Sequence, residues 1–203
     1  MFSESLFMNL CYVHRFSSMG LMTPDTDAMH TIRMQLYALD MYNGLSDEAK
    51  AKVPIESICF RILVHDLDEV VCCDIPRNIK YYSEESKSLI SKITEDLLDR
   101  SEVCEELITN ITESKSGMWG VLISALDIYD AWRTLGLEYS LRGMKKYKLG
   151  LIQSKIYLDE CSPKWRESDL PLEIKSFLND LHQSVTDSTA KYCGARDDSC
   201  MCT

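Results

Sequence analysis

The chain has 203 residues, 45% of them apolar and 27% charged, with a net charge of −10. That length predicts a single domain over residues 1–203 with a substantial core, and the composition excludes a disordered chain. The acidic balance excludes a broad electrostatic surface for DNA or RNA, so no nucleic-acid polymer is expected as a partner, while a bound cation would still let a pocket accept a small anion.

Helical periodicity runs through almost the whole sequence. Phe2 to Phe16 forms a first amphipathic segment, followed by a turn at Gly20 to Pro24. Asp25, Thr26 or Asp27 then offers an N-cap for a helix to about Tyr42, which Asn43-Gly44 ends. After Pro54, apolar residues at 55, 58, 59, 62, 63 and 67 predict one buried helix from Ile55 to Val71, broken at Asp74-Ile75-Pro76. A charged helix from Ser83 to about Asn110 follows, then an apolar one from Trp119 to Leu141 and another from Met144 to about Glu160. Pro163 and Pro171 punctuate the approach to a last helix, Leu172 to about Ala190. Alternation bounded by hairpin turns is missing, so the expected fold class is all-α. Apolar runs are interrupted by charge too soon to span a bilayer, and no membrane partner is expected.

The nine cysteines, at 11, 59, 72, 73, 104, 161, 193, 200 and 202, fall mostly at apolar positions of helical patterns. Cys193, Cys200 and Cys202 lack the paired C-x-x-C spacing of a metal or redox tail. Met1 to Cys11 has no basic region and no small-residue cleavage site, so a reducing cytoplasm is the expected location.

Four residues carry the chemistry. His30, the pair His65-Asp66, and Asp127 lie on three separate predicted helices, each able to bring imidazole nitrogen or carboxylate oxygen to one point. Those donors suit one divalent ion such as Zn, Mn, Co or Fe and leave positions free for water and a phosphate oxygen. On a helix, His65 and Asp66 are about 100° apart and Glu69 follows at one turn, over the same side. Acidic residues crowded at a helix C-terminus oppose the macrodipole, which favours a site over a merely solvated helix end.

The stretch His65-Asp66-Leu67-Asp68-Glu69, followed by Asp74-Ile75-Pro76 and Lys80-Tyr81, resembles the H-D-x-x-E-x-x-x-x-D-x-P-x-x-x-K-Y segment of HD-domain 5′-deoxynucleotidases. Arg15-Phe16, fifteen residues before His30, is similar to that family's Arg-Trp pair, and Ala125-Leu126-Asp127 to its A-D motif. The resemblance covers about residues 8–140 and implies a compact HD-domain bundle, with additional C-terminal helices over about 141–203. It implies that His30, His65, Asp66 and Asp127 bind one divalent metal (Co, Mn, Zn or Mg), that Glu69 and Asp74 activate water and protonate the leaving oxygen, and that Arg15, Phe16 and Lys80 hold the substrate. A homodimer is also implied.

Two positions depart from the family. Met29 stands where the family has Glu, so a carboxylate orienting His30 would have to come from Asp27 or Asp25. Phe16 replaces a Trp that walls the sugar pocket. The expected activity is hydrolysis of a deoxyribonucleoside monophosphate to deoxynucleoside and phosphate. The alternative is a dNTP triphosphohydrolase like the small viral HD enzymes that deplete dATP, which would need further basic reach from Arg77, Lys87 or the lysines at 145, 146 and 148. A non-catalytic nucleotide-sensing module is a third. Of the other histidines, His14 adjoins Arg15 and His182 is expected in solvent on a polar helix.

Overall fold

The computed structural model describes residues 7–17, 19–22, 24–80, 82–100 and 103–194, all-α apart from an isolated bridge between His14 and Thr26. Among them the helices are α1 (Asp27–Gly44), α2 (Asp47–Lys50), α3 (Ile55–Val64), α4 (Glu69–Cys72), α5 (Arg77–Lys80), α6 (Glu84–Arg100), α7 (Glu105–Glu113), α8 (Gly117–Arg142), α9 (Lys145–Glu167) and α10 (Leu172–Cys193). They form two compact units, Met1–Gln35 with Cys59–Ser114 and Leu36–Ile58 with Lys115–Thr203, the division falling inside α1 and α3. No helix among the described residues is long and apolar enough to cross a membrane.

The first unit closes around Leu10, Val64, Leu67, Leu98 and Ile111, with Val70, Val71, Val103 and Leu107 packed on them. Its helices are shorter than the periodicity predicts. The expected helix from Ile55 to Val71 stops at Val64, turns through 65–68 and restarts at Glu69. The cause is a competing donor. The Ile62 carbonyl, which a continuing helix would give to the Asp66 N–H, instead accepts from His65 Nδ1 at 2.6 Å. The turn is then held by Leu67 N–H on the Val64 carbonyl at 3.1 Å and Glu69 N–H on the Asp66 carbonyl at 3.0 Å. The predicted helix from Ser83 to Asn110 is likewise two helices, α6 and α7. Ending at Arg100 and restarting at Glu105-Glu106 places basic charge in a last turn and acidic charge in a first turn, matching both macrodipoles, and Val103 between them enters the core.

The second unit is regular. Helices α8 and α9 pack side by side, joined at Gly143, whose left-handed φ of 60° lets its N–H close on the Tyr139 carbonyl at 2.7 Å. Helix α9 also packs on α10, around the fully buried Tyr147, Leu151, Leu158 and Trp165. Pro163 does not end α9, contrary to the expectation that it marks a boundary; the helix runs on to Glu167. Proline cannot donate to the carbonyl four residues back. That carbonyl, of Asp159, is taken by the Ser162 hydroxyl at 3.0 Å, so nothing is orphaned. Pro171 behaves as expected and sits at the N-cap of α10.

Helix α1 inverts the usual pattern in part. Its buried residues include Asp27, His30 and Thr31, while Met29, Ile32, Leu36 and Leu39 are exposed.

Candidate functional site

The N-terminal segment and the start of α1 are laced together before any functional side chain is placed. Arg15 N–H donates to the Asp25 carbonyl at 2.9 Å and Asp27 N–H to the Val13 carbonyl at 3.1 Å, making the bridge at His14 and Thr26. Thr26 caps α1, its hydroxyl accepting from Met29 N–H at 3.3 Å. Asp27 and His30 therefore share one inward face a turn apart, both with no solvent exposure.

His30 meets the turn that follows α3. Its Nε2 lies 3.2 Å from His65 Nε2 and 3.5 Å from Asp66 Oδ2, and His65 Nε2 lies 3.0 Å from Asp66 Oδ2. Ligand bonds of about 2.0–2.2 Å in tetrahedral or octahedral geometry put donor atoms about 3.0–3.5 Å apart, the spacing found here. The Ile62 carbonyl can only accept, so His65 Nδ1 carries the proton and its Nε2 keeps a lone pair for a cation.

Asp27, Asp66 and Glu69 form an overlapping group whose oxygens lie within 4.8 Å of one another. Burial first, and then the Asp66 charge, raises the Asp27 carboxyl to about pH 7. The same causes push Glu69 well above the ordinary carboxylate range. Both buried oxygens of Asp27 lack a hydrogen bond. Crowded carboxylates with unsatisfied oxygens beside two converging imidazole nitrogens fit a divalent cation, and His30, His65 and Asp66 are the residues that could hold it. Arg15 offsets part of the negative charge: its Nη1 lies 3.3 Å from Asp66 and 3.9 Å from Asp27.

Asp74 and Phe16 are brought together by the backbone. Phe16 takes a left-handed φ of 52°, uncommon for a residue with a Cβ, and its N–H donates to Asp74 Oδ2 at 3.1 Å. Its ring lies under the Arg15 guanidinium, 5.5 Å from centroid to carbon. Beside Glu69 and Asp74 opens a cleft of about 440 Å³. Asn9, Tyr12 and Ser17 line it too, and nothing in their spacing had marked them. Lys80 ends α5, near enough to Cys72 to act against the burial that raises that thiol to about pH 11.

Asp127 lies on α8 in the second unit, where its Oδ2 accepts from Lys115 Nζ at 2.8 Å. Gly120 fixes that lysine's backbone, since a Cβ there would overlap it. Of the two carboxylates expected to stand in near Met29, Asp25 is committed to a two-bond pair with Arg33, at 2.9 and 2.8 Å, whereas Asp27 joins the buried group. His14 lines the cleft. His182 is not in open solvent; it bonds Asp159 at 2.7 Å and packs edge-on to Trp165. Cys161 and Cys193 are buried, but Cys11, Cys73 and Cys104 are exposed, so the apolar pattern overstated thiol burial. Cys200, Cys202 and the side chain of Arg77 lie outside the described residues.

Two solved structures share this architecture. The cyanophage S-2L HD phosphohydrolase DatZ, bound to dA and one catalytic Zn²⁺ ion, superposes with a TM-score of 0.58 at 19% identity, over 90% of this chain and 96% of its own. The PH0347 protein from Pyrococcus horikoshii OT3 does so at 0.63 and 20% identity, over 89% and 96%. At that identity they establish the fold, and no curated protein sequence matches the chain. The family described as 5′-deoxynucleotidase YfbR-like matches residues 2–118, which take in the bridge, α1, the turn after α3 and the cleft. The chain belongs to this YfbR-like family, and so to the phosphohydrolases of deoxynucleotides.

Proposed function

We propose that the protein is a 5′-deoxynucleotidase, hydrolysing a deoxyribonucleoside monophosphate to deoxynucleoside and phosphate. The observation that carries the choice is where the basic groups are committed. Arg15 is docked at Asp66, ready to meet one phosphoryl group. Three of the four lysines that a triphosphate tail would call on have local partners: Lys87 pairs with Glu84 at 3.7 Å, Lys146 lies over the Tyr147 ring, and Lys148 donates to the Cys193 carbonyl at 3.1 Å.

In this reading His30, His65, Asp66 and Asp127 are the metal ligands, and Lys115 releases Asp127 when it serves as one. The divalent ion would supply Lewis acidity toward the phosphoryl group and lower the pKa of water. Arg15 presents a planar fork to two phosphate oxygens, and Lys80 adds a point charge. Glu69, with a raised pKa, takes the proton from the attacking water, and Asp74 gives one to the departing 5′-oxygen. Phe16, held by its backbone bond to Asp74, provides the apolar wall against the sugar that favours a 2′-deoxy substrate.

The test is product analysis after incubation with Mn, Co, Zn or Mg and a panel of dNMPs, dNTPs and ribonucleotides. Phosphate from dNMPs supports the proposal. Tripolyphosphate from a dNTP, with dNMPs untouched, would replace it with a triphosphohydrolase. Nucleotide binding without turnover under any metal would replace it with a sensor. Glu69→Ala should retain metal, measured by elemental analysis, and lose turnover.

A further inference from the structure

The cleft beside Glu69 and Asp74 is lined on its other side by the N-terminal segment, and its chemistry is unlike that of a phosphate site. Asn9, Tyr12, His14 and Ser17 line it together with Glu69 and Asp74. Among the described residues that line it there is no lysine or arginine. With no lysine or arginine on it, this wall offers a phosphate no charged partner, so the occupant it suits is the uncharged half of a nucleotide. Its volume of about 440 Å³ falls within the range of small-molecule sites.

We infer that Asn9, Tyr12 and His14 read the nucleobase, and so determine which deoxynucleotide the enzyme prefers; this rests on the hydrolase reading of the adjoining site. Asn9 stands at the N-cap of the 3-10 turn Leu10–Tyr12, yet its side chain makes no capping bond. Its amide carries both donor and acceptor groups of the kind that pair with a base edge. Tyr12 is 77% exposed, an aromatic face with the geometry to stack on a base. His14 offers one ring nitrogen to donate and one to accept when neutral. The wall is not loosely attached. Bonds from Asp27 N–H to Val13, from Arg15 N–H to Asp25 and from Phe16 N–H to Asp74 fix the segment to the floor that carries the chemistry. A base held by this wall would therefore keep a fixed offset from Glu69 and Asp74.

The test pairs steady-state kinetics on the four dNMPs with calorimetric titration of the four deoxynucleosides, for the wild type and for Asn9→Ala, His14→Ala, Tyr12→Ala and Tyr12→Phe. The wild type should separate the bases by about 10-fold or more in kcat/KM, the discrimination expected of one well-formed paired contact. Asn9→Ala and His14→Ala should flatten that ratio, the loss falling on KM. Tyr12→Ala should weaken all four by roughly 10-fold, and Tyr12→Phe should restore them because the ring is kept. Turnover of dNMPs with a base ratio that none of the variants moves overturns the inference and leaves the hydrolase intact. Base-dependent deoxynucleoside binding that the variants abolish, without turnover of any deoxynucleotide, supports the inference and overturns the hydrolase. Absence of both turnover and binding overturns both.

Discussion

The two units solve different problems with the same helical alphabet. The second is dominated by helices of 26, 23 and 22 residues, and several of its polar side chains are paired: Tyr37 with Asp130, Trp132 with Thr189, Trp165 with Asn179. The first contains helices of 4, 4, 9 and 17 residues, a turn where α3 breaks off, and the buried Asp27, His30, His65 and Asp66. Long helices satisfy the backbone and leave side chains free to fill space. Broken ones expose carbonyls and redirect side chains toward a point, at a cost in burial and then like-charge repulsion that shows in the raised carboxyls of Asp27 and Glu69. Regularity dominates the second unit, while the first gives up continuity where α3 ends.

The sharpest way to break that contrast is Asp66→Ala. It removes a donor 3.0 Å from His65 and 3.5 Å from His30, so metal binding and turnover should disappear together, with kcat/KM falling by at least about 1,000-fold. Retained activity would sink the ligand assignment. On the other side, Trp165→Ala empties a fully buried site in the second unit and should cost about 3–5 kcal/mol in denaturant unfolding. The protein that remains folded should bind metal at the wild-type ratio, and a lost ratio would show that the packing around Trp165 supports the metal ligands.

A pH titration of the metal-stripped protein sharpens the comparison from within the first unit. Asp27 has its carboxyl raised from 3.8 to about 7, so between those values the folded state holds a proton that the unfolded chain has released. Stability from this group is therefore full below about pH 4 and lost as pH rises to about 7, by on the order of 4 kcal/mol. Added divalent ion should flatten the slope, because it takes the place of the proton. A melting curve that rises with pH across that window would show the group to be ionised throughout. The smallest effect belongs to Ser162→Ala, which leaves the Asp159 carbonyl without the hydroxyl that replaces the missing proline donor. A loss of about 1 kcal/mol is expected, and a Ser162→Thr change should recover much of it.

The donor set near α1 and α3 was legible because its chemistry is carried by residue type and spacing: His30, His65 and Asp66 converge although the helix expected to carry the last two is broken there. The break itself was hidden. Apolar residues continue at helical intervals through Leu67, and the signal that stops the helix is an imidazole taking a backbone carbonyl, a contact with no sequence pattern. Pro163 misled in the opposite direction, since the compensating hydroxyl sits one residue away and looks like any other serine. Helix α1 was placed correctly, with Thr26 the one of three candidate caps that the structure uses, although Asp27 and His30 lie inward while Ile32 and Leu36 lie outward, the inverse of what binary patterning expects. The cleft wall of Asn9 and Tyr12 had no signal at all, because recognition of a neutral ligand needs no residue type that stands out in an ordinary chain.

The end of α3 constrains how this sequence can drift. His65 owes its tautomer to a carbonyl three residues before it, and that carbonyl is available only because the helix stops at Val64. Replacing Ile62 by another apolar residue keeps the carbonyl and its direction. Adding or deleting one residue between 62 and 65 would swing the imidazole by roughly 100° and hand the carbonyl back to the helix. Descendants of this chain can therefore vary the side chains of that segment, but they inherit its length.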